Sequence, residues 1–175
     1  GCKYVAVPYL TPEYRPGTPA FPEVIKNIAM LGEVCNKLGM TLLYHNHDFE
    51  FVSFSGMYAL DFLYAAMPED VLKTEIDVCW VKYAGEDPAA YLRKYAGRAP
   101  VVHLKDFVGR KEGDAAPYGL LGQSETKAAG EVPFEFRPVG YGCQDVSAVA
   151  EAGLDAGAKW FVVEQDASVG RTPLE

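Results

Sequence analysis

Four apolar runs in this chain each deliver residues that can ligate a metal, and segments of helical periodicity separate them. Met40 to Tyr44 leads into His45-Asn46-His47, Leu72-Lys73-Thr74-Glu75-Ile76-Asp77-Val78 carries carboxylates, Val101 and Val102 lead into His103, and Trp160 to Val163 leads into Glu164. Side chains at i and i+2 of a strand face the same way. His45 and His47 therefore project together, Lys105 shares the face of His103, and Asp166 shares the direction of Glu164. Nitrogen and oxygen ligands at the ends of successive buried strands are what a divalent metal site in an α/β barrel requires.

The rest of the chain supports that architecture. Lys3 to Pro8 reads as a short buried strand, followed by a loop with Pro12, Pro16, Pro19 and Pro22 that no helix interior would tolerate. From Glu23 to Leu38, Val24, Ile25, Ile28, Leu31, Val34, Cys35 and Leu38 recur largely at three- and four-residue steps, and Gly39 is placed to stop the helix. A strand from Met40 to His47 comes next. The alternation continues with helix 58–66, strand 72–78, helix 88–95, strand 100–105, helix 146–156 and strand 160–164, which implies a parallel sheet with helices packed outside. Between Phe107 and Gly142 the pattern lapses into a segment rich in Gly, Pro and charge, read as a long functional or mobile loop. Gly140 and Gly142 are expected to serve a tight turn and not a phosphate, because no G-x-G-x-x-G follows a strand. Five strands with four intervening helices fall short of the eight strands in about 250 residues of a closed (β/α) barrel. The expected fold is α/β, an incomplete TIM-type barrel of about five β/α units, with residues 1–175 as the C-terminal portion of one barrel domain and roughly three leading units absent.

Composition narrows the partners. Sixteen Lys and Arg against 24 Asp and Glu give a net charge of -8, which disfavours a nucleic-acid backbone and suits a small neutral substrate. No apolar run approaches the roughly 20 residues of a membrane span. Cys2, Cys35, Cys79 and Cys143 are scattered, without a C-x-x-C pair, so reduced thiols and a cytoplasmic setting are expected.

One histidine at a strand end is more often structural than a ligand. Four consecutive strands with ligand types favour a metal site, because buried charge needs a partner or a metal to offset its desolvation. The strings Tyr44-His45-Asn46-His47-Asp48-Phe49-Glu50-Phe51, Glu75-Ile76-Asp77-Val78-Cys79-Trp80, Val102-His103-Leu104-Lys105-Asp106 and Val163-Glu164-Gln165-Asp166 resemble the sugar phosphate isomerase/epimerase family with the xylose-isomerase-like barrel. The resemblance covers nearly the whole chain. It implies a divalent metal held by Glu, Asp, His and Glu, and Asp77, His103 and Glu164 match the last three.

At the first ligand position this chain has His45, which removes a carboxylate that doubles as an acid/base in the ketose epimerases of that family. A neutral imidazole still suits Mn, Zn or Co, and either His45 or His47 is left as the fourth ligand. Trp80 stands where those epimerases place a substrate-binding histidine, so it would either stack on a sugar ring or pack the barrel. Glu50 is read as a substrate contact or a solvated loop carboxylate. Lys105 would stabilise a developing enolate or pair with Asp106, and Asp166 would orient a ligand.

These residues lead us to expect a metal-dependent sugar isomerase or epimerase, using Mn, Zn, Co or Mg, that removes a proton next to a carbonyl. His47 or Glu164 would take the proton and Lys105 would hold the oxyanion. An inosose-dehydratase-like or keto-sugar lyase shares that first step, and a non-catalytic sugar-binding barrel relic is the alternative from another class. The abasic-site endonuclease branch of the fold needs more than three histidines and a basic surface. The expected partner is a small sugar or cyclitol, with no nucleic acid and no membrane, and homo-oligomerisation is left open.

Overall fold

The computed structural model describes residues 1–109, 134–168, 170 and 172. Strand β1 (Tyr4–Val7) is followed by a single 3₁₀ turn, Pro12–Tyr14, and helix α1 (Phe21–Lys37). Pro22 lies in the first turn of α1, where its missing N–H has no partner to lose. The helix ends in a Schellman motif: Gly39, at φ 71°, donates to Asn36 O and Met40 donates to Cys35 O. Its buried face is Phe21, Ile28, Gly32 and Cys35. Gly32 cannot be larger, since a Cβ there would lie 2.3 Å from the Val71 carbonyl oxygen.

Strand β2 (Thr41–His45) leads to a short hairpin, β3 (Ser53–Phe54) and β4 (Met57–Tyr58), and then to helix α2 (Ala59–Ala65). The hairpin turns on Ser55 and Gly56, both at positive φ, as a two-residue turn requires. Strand β5 (Lys73–Asp77) runs directly into helix α3 (Val78–Tyr83), followed by α4 (Pro88–Lys94) and β6 (Val101–Leu104). Beyond them come β7 (Asp106–Val108), β8 (Glu135–Arg137), α5 (Val146–Asp155) and β9 (Trp160–Val163). The five long strands form one parallel sheet in the order β1-β2-β5-β6-β9, curled as part of a barrel.

Each strand presents alternate residues to two faces. Leu42, Tyr44, Ile76 and Val102 point outward and join Ile28, Leu60, Leu63, Leu92 and Val149 of the helices in one core. Tyr4, Ala6, Leu43, Glu75, Val101, Trp160 and Val162 point inward and line a cavity of about 260 Å³. Two apolar residues of the inner face of β9 remain open, Trp160 at 61% and Val162 at 42% exposure.

Three features depart from the sequence expectation. Helix α3 was not anticipated: the expected strand ended at Val78, and the four apolar residues Val78 to Val81 show no helical period. Its start is set by Asp77, whose Oδ1 accepts from the Cys79 and Trp80 amides at 2.8 and 3.4 Å. The segment expected as one long loop instead carries β7 and β8, paired antiparallel at its two ends; its centre, 110–133, lies outside the described residues. Lys105 was weighed as a partner of Asp106, but Asp106 faces the other way. Its two carboxylate oxygens accept from the amides of Phe107, Gly140, Gly142 and Gln144 at 2.9 to 3.0 Å. A Cβ on Gly142 would sit 2.2 Å from Asp106 Oδ1, so the expected glycine turn is there, folded around a buried carboxylate.

All four cysteines are unpaired, with Cys35 and Cys79 buried. No described helix is long and apolar enough to cross a membrane.

The outer strands β1 and β9 each have one neighbour in the described sheet. Unpaired strand edges beside exposed apolar surface promote association. This 175-residue chain on its own is expected to self-associate, seen as a sedimentation coefficient that rises with concentration. A concentration-independent monomer would contradict that expectation.

Candidate metal and active site

The ionisable side chains of the inner face collect at one end of the sheet because the strands are parallel and in register. His45 lies beside Glu75, and Asp77 lies beside His103. The strand continues past its last ladder residue in each case, so that Lys105 and Glu164 extend the same face by one step.

Distances show how the two imidazoles are turned. His45 Nε2 is 3.5 Å from Asp77 Oδ2, and His103 Nε2 is 3.1 Å from Glu164 Oε2. The opposite nitrogens face Glu75: His103 Nδ1 is 3.4 Å and His45 Nδ1 is 3.8 Å from Glu75 Oε1, and the two Nδ1 atoms are 3.1 Å apart. Lys105 Nζ lies 3.7 Å from Asp77 Oδ2 and 3.1 Å from Asp166 Oδ2, and contacts Glu164 directly. Lys105 is 3% exposed and Asp77 fully buried, whereas the Glu164 side chain is 43% exposed, so the cluster opens to solvent on the Glu164 side.

Two atoms of this cluster, Asp77 Oδ2 and His103 Nε2, are buried and without a hydrogen-bond partner among the described residues; the 3.1 Å approach of Glu164 to His103 lacks hydrogen-bond geometry. Buried polar atoms left unsatisfied cost roughly 1–3 kcal/mol each, more when charged, and call for a ligand. Asp77, His103 and Glu164 offer atoms within 4.8 Å of one another, as do His45, Glu75 and His103. A donor set of imidazole nitrogens and carboxylate oxygens fits a divalent cation such as Mn, Zn or Co. His45, Asp77, His103 and Glu164 are the residues that would hold it.

The charge of the cluster is visible in its proton affinities. Burial would lower His103, but Glu164, Glu75 and Asp77 outweigh it and raise the imidazole to about 9. Burial would raise Glu75, but the two histidines hold it at about 2. Glu164 is kept far below the usual carboxylate range by His103 and, against its partial burial, by Lys105. Lys105 is pushed the other way: burial would lower it, and Asp77, Glu164 and Asp166 hold it firmly charged. Burial leaves Asp166 somewhat raised despite Lys105.

The remaining expected site residues lie to one side, in an aromatic wall. His47 stacks on Phe49 at 5.4 Å and on Trp80 at 5.3 Å, with the Tyr9 ring edge-on at 5.1 Å. That burial, with the charges of His45, Lys105 and Arg15 nearby, drives its pKa down to about 2. Trp80 is 2% exposed and packs between His47 and Phe134, with Lys105 Nζ 5.6 Å from its ring centre. Glu50 is not in a solvated loop. It is 2% exposed, and its oxygens accept from Tyr44 Oη at 2.6 Å and the His47 amide at 2.8 Å, which fixes the turn after β2.

The structure thus brings Asp77, His103 and Glu164 together as one group and His45, Glu75 and His103 as a second that shares His103, with Lys105 against Asp77 and Glu164 and with His47 and Trp80 beside them. Glu75 belongs to the cluster but was not singled out from sequence. Its two-residue spacing from Asp77 was the available signal, since i and i+2 share a face.

The family model described as xylose isomerase-like TIM barrel matches residues 1–173. The chain belongs to that family. Among solved structures, two sugar phosphate isomerase/epimerases from Parabacteroides distasonis are similar to it. One is 20% identical with a TM-score of 0.68 over 97% of this chain and 52% of its own, the other 22% identical with a TM-score of 0.69 over 98% and 54%. A xylose isomerase-like TIM barrel protein from Mycobacterium smegmatis, in complex with magnesium, is 17% identical with a TM-score of 0.64 over 97% of this chain and 56% of its own. The chain spans about half the length of these similar structures. No curated protein matches it.

Burial raises Glu50 to about 8, against the lowering effect of Tyr44 and the His47 amide. An unfolded glutamate titrates near ~4.3, so Glu50 favours folding fully below that pH and loses its contribution as pH rises through about 8. Glu50→Gln keeps an acceptor for the His47 amide and a donor for Tyr44. Denaturant titrations from roughly pH 5 to pH 9 should show the variant gaining on the parent as pH rises. A difference that stays constant across that range would contradict the assignment.

Proposed function

We propose that this protein is a metal-dependent sugar isomerase or epimerase that removes the proton next to a carbonyl of a small sugar, keto-sugar or cyclitol. One observation carries the reading: Asp77 Oδ2 and His103 Nε2 are buried and unsatisfied, and they belong to a ring of ligand types on the rim where barrels of this kind place their active sites. The family's sugar phosphate isomerase/epimerase relatives support the substrate class, and the magnesium found in one relative supports the metal.

A divalent cation held by His45, Asp77, His103 and Glu164 would polarise the substrate carbonyl. Lys105 contributes a fixed ammonium beside the same point, where it would donate to the oxygen on which charge develops. Of the two bases expected, the packing favours Glu164. It is ionised and open to the solvent side, whereas the His47 ring is enclosed by Phe49, Trp80 and Tyr9. His47 would serve as a neutral wall that, with Trp80, excludes water from the proton transfer. A dehydratase or lyase would use the same first step, and the fate of the carbanion then distinguishes them.

Elemental analysis of the purified protein should find a divalent metal, and Asp77→Ala or Glu164→Ala should remove most of it. Metal retained in full by both variants would sink the site. In deuterated water the protein should exchange the proton next to the carbonyl of a keto-sugar or inosose. Glu164→Gln, assayed with metal restored to full occupancy, should slow this exchange by roughly the 10²- to 10⁴-fold typical of a lost general base. A larger loss from His47→Ala than from Glu164→Gln would make His47 the base, and no exchange with a loaded metal would favour a sugar-binding protein.

A further inference from the structure

We infer that Glu75 is a positioning residue for the metal centre: its carboxylate faces the Nδ1 atoms of both His45 and His103 and, with a cation at the rim, accepts from their Nδ1–H groups while both Nε2 atoms ligate. The inference rests on the metal-site reading above and adds a residue to it.

The geometry separates two levels of the barrel interior. Glu75 precedes Asp77 by two residues on β5, so it sits one step, roughly 6.6 Å, further from the rim. At its level are the two Nδ1 atoms, 3.4 and 3.8 Å from its Oε1. At the rim level are His45 Nε2, His103 Nε2, Asp77 Oδ2 and Glu164. A cation among the rim atoms meets an incoming substrate on the open Glu164 side, whereas one beside Glu75 lies beneath both rings.

The two Nδ1 atoms are also only 3.1 Å apart. That spacing creates a hazard which Glu75 removes. A hydrogen bond from one Nδ1 to the other makes the second ring an acceptor at Nδ1, which forces its proton onto Nε2. A protonated Nε2 cannot ligate. An ionised carboxylate beside both Nδ1 atoms offers each N–H a better acceptor than the other ring, and a carboxylate on the far nitrogen is how metal-bound histidines are commonly oriented. Glu75 stands next to His45 in the sheet register, one strand away from His103, so it is placed to reach both.

The test pairs cation binding with ring-nitrogen NMR in the protein and in its Glu75→Gln and Glu75→Ala variants. Zinc affinity, measured by competition with a chromogenic chelator, should fall roughly 10- to 100-fold in Glu75→Gln and further in Glu75→Ala, with Asp77→Ala abolishing binding. The ¹⁵N spectrum of the zinc-loaded protein should show both histidines protonated at Nδ1 and ligating through Nε2. In zinc-loaded Glu75→Ala one of them should carry Nε2–H and no longer ligate. Unchanged affinity and tautomers would overturn the inference. So would zinc lost from Glu75→Ala but retained by Glu164→Ala, which would make Glu75 itself a ligand. If the parent protein bound no zinc, the proposed function would fall and this inference with it, whereas zinc bound equally by the parent and Glu75→Ala would fell the inference alone.

Discussion

The structure depends on how four carboxylates come to be packed into one end of a sheet. Asp77, Glu164 and Asp166 surround a single buried ammonium, Lys105, and Glu75 faces His45 and His103 beside them. The effective cost of burying an unpaired ion is several kcal/mol, more than a marginally stable fold carries without a reason. Further positive charge must therefore enter the cluster. In the metal-free chain it comes as a proton: His103 is held charged up to about pH 9 by the acids around it. A divalent cation would supply the same charge and satisfy Asp77 Oδ2 and His103 Nε2 as well.

Much else follows from that concentration of charge. Asp77 divides its oxygens, one capping α3 and the other facing the cluster, so the helix start fixes the direction of the free oxygen. Asn46 ties the neighbouring strands at the same height, since its Oδ1 accepts from the Asp77 amide at 2.9 Å. The Asp106 carboxylate, one residue past Lys105, folds the Gly140–Gln144 segment back against β7. Polar groups that the core cannot leave unpaired thereby hold the rim, while the apolar outer faces of the strands hold the helices.

The strand–helix alternation and the strand-end placement of the candidate ligands were legible in the sequence because both follow simple periods. Met40 to His47, Pro100 to Lys105 and Trp160 to Glu164 read as strands from their apolar runs, and His45, His103 and Glu164 fell at or near the ends of those runs. What escaped needed three dimensions. Helix α3 goes unassigned after the strand ending at Val78, because the short apolar run Val78 to Val81 has no period of its own and its start signal, Asp77, was already claimed as a ligand. Glu75 looked like an ordinary strand residue until the register set it beside His45. Glu50 looked solvated, and only the fold brought Tyr44 and the His47 amide to its two oxygens.

The central claim is that the Nε2 atoms of His45 and His103 converge with Asp77 and Glu164 on one cation. Anomalous diffraction at the zinc edge from crystals grown with zinc tests it most directly. The account places one strong peak about 2.0–2.2 Å from His45 Nε2, Asp77 Oδ2, His103 Nε2 and a Glu164 oxygen. A peak against the Nδ1 atoms and Glu75, or none within the cluster, would contradict it.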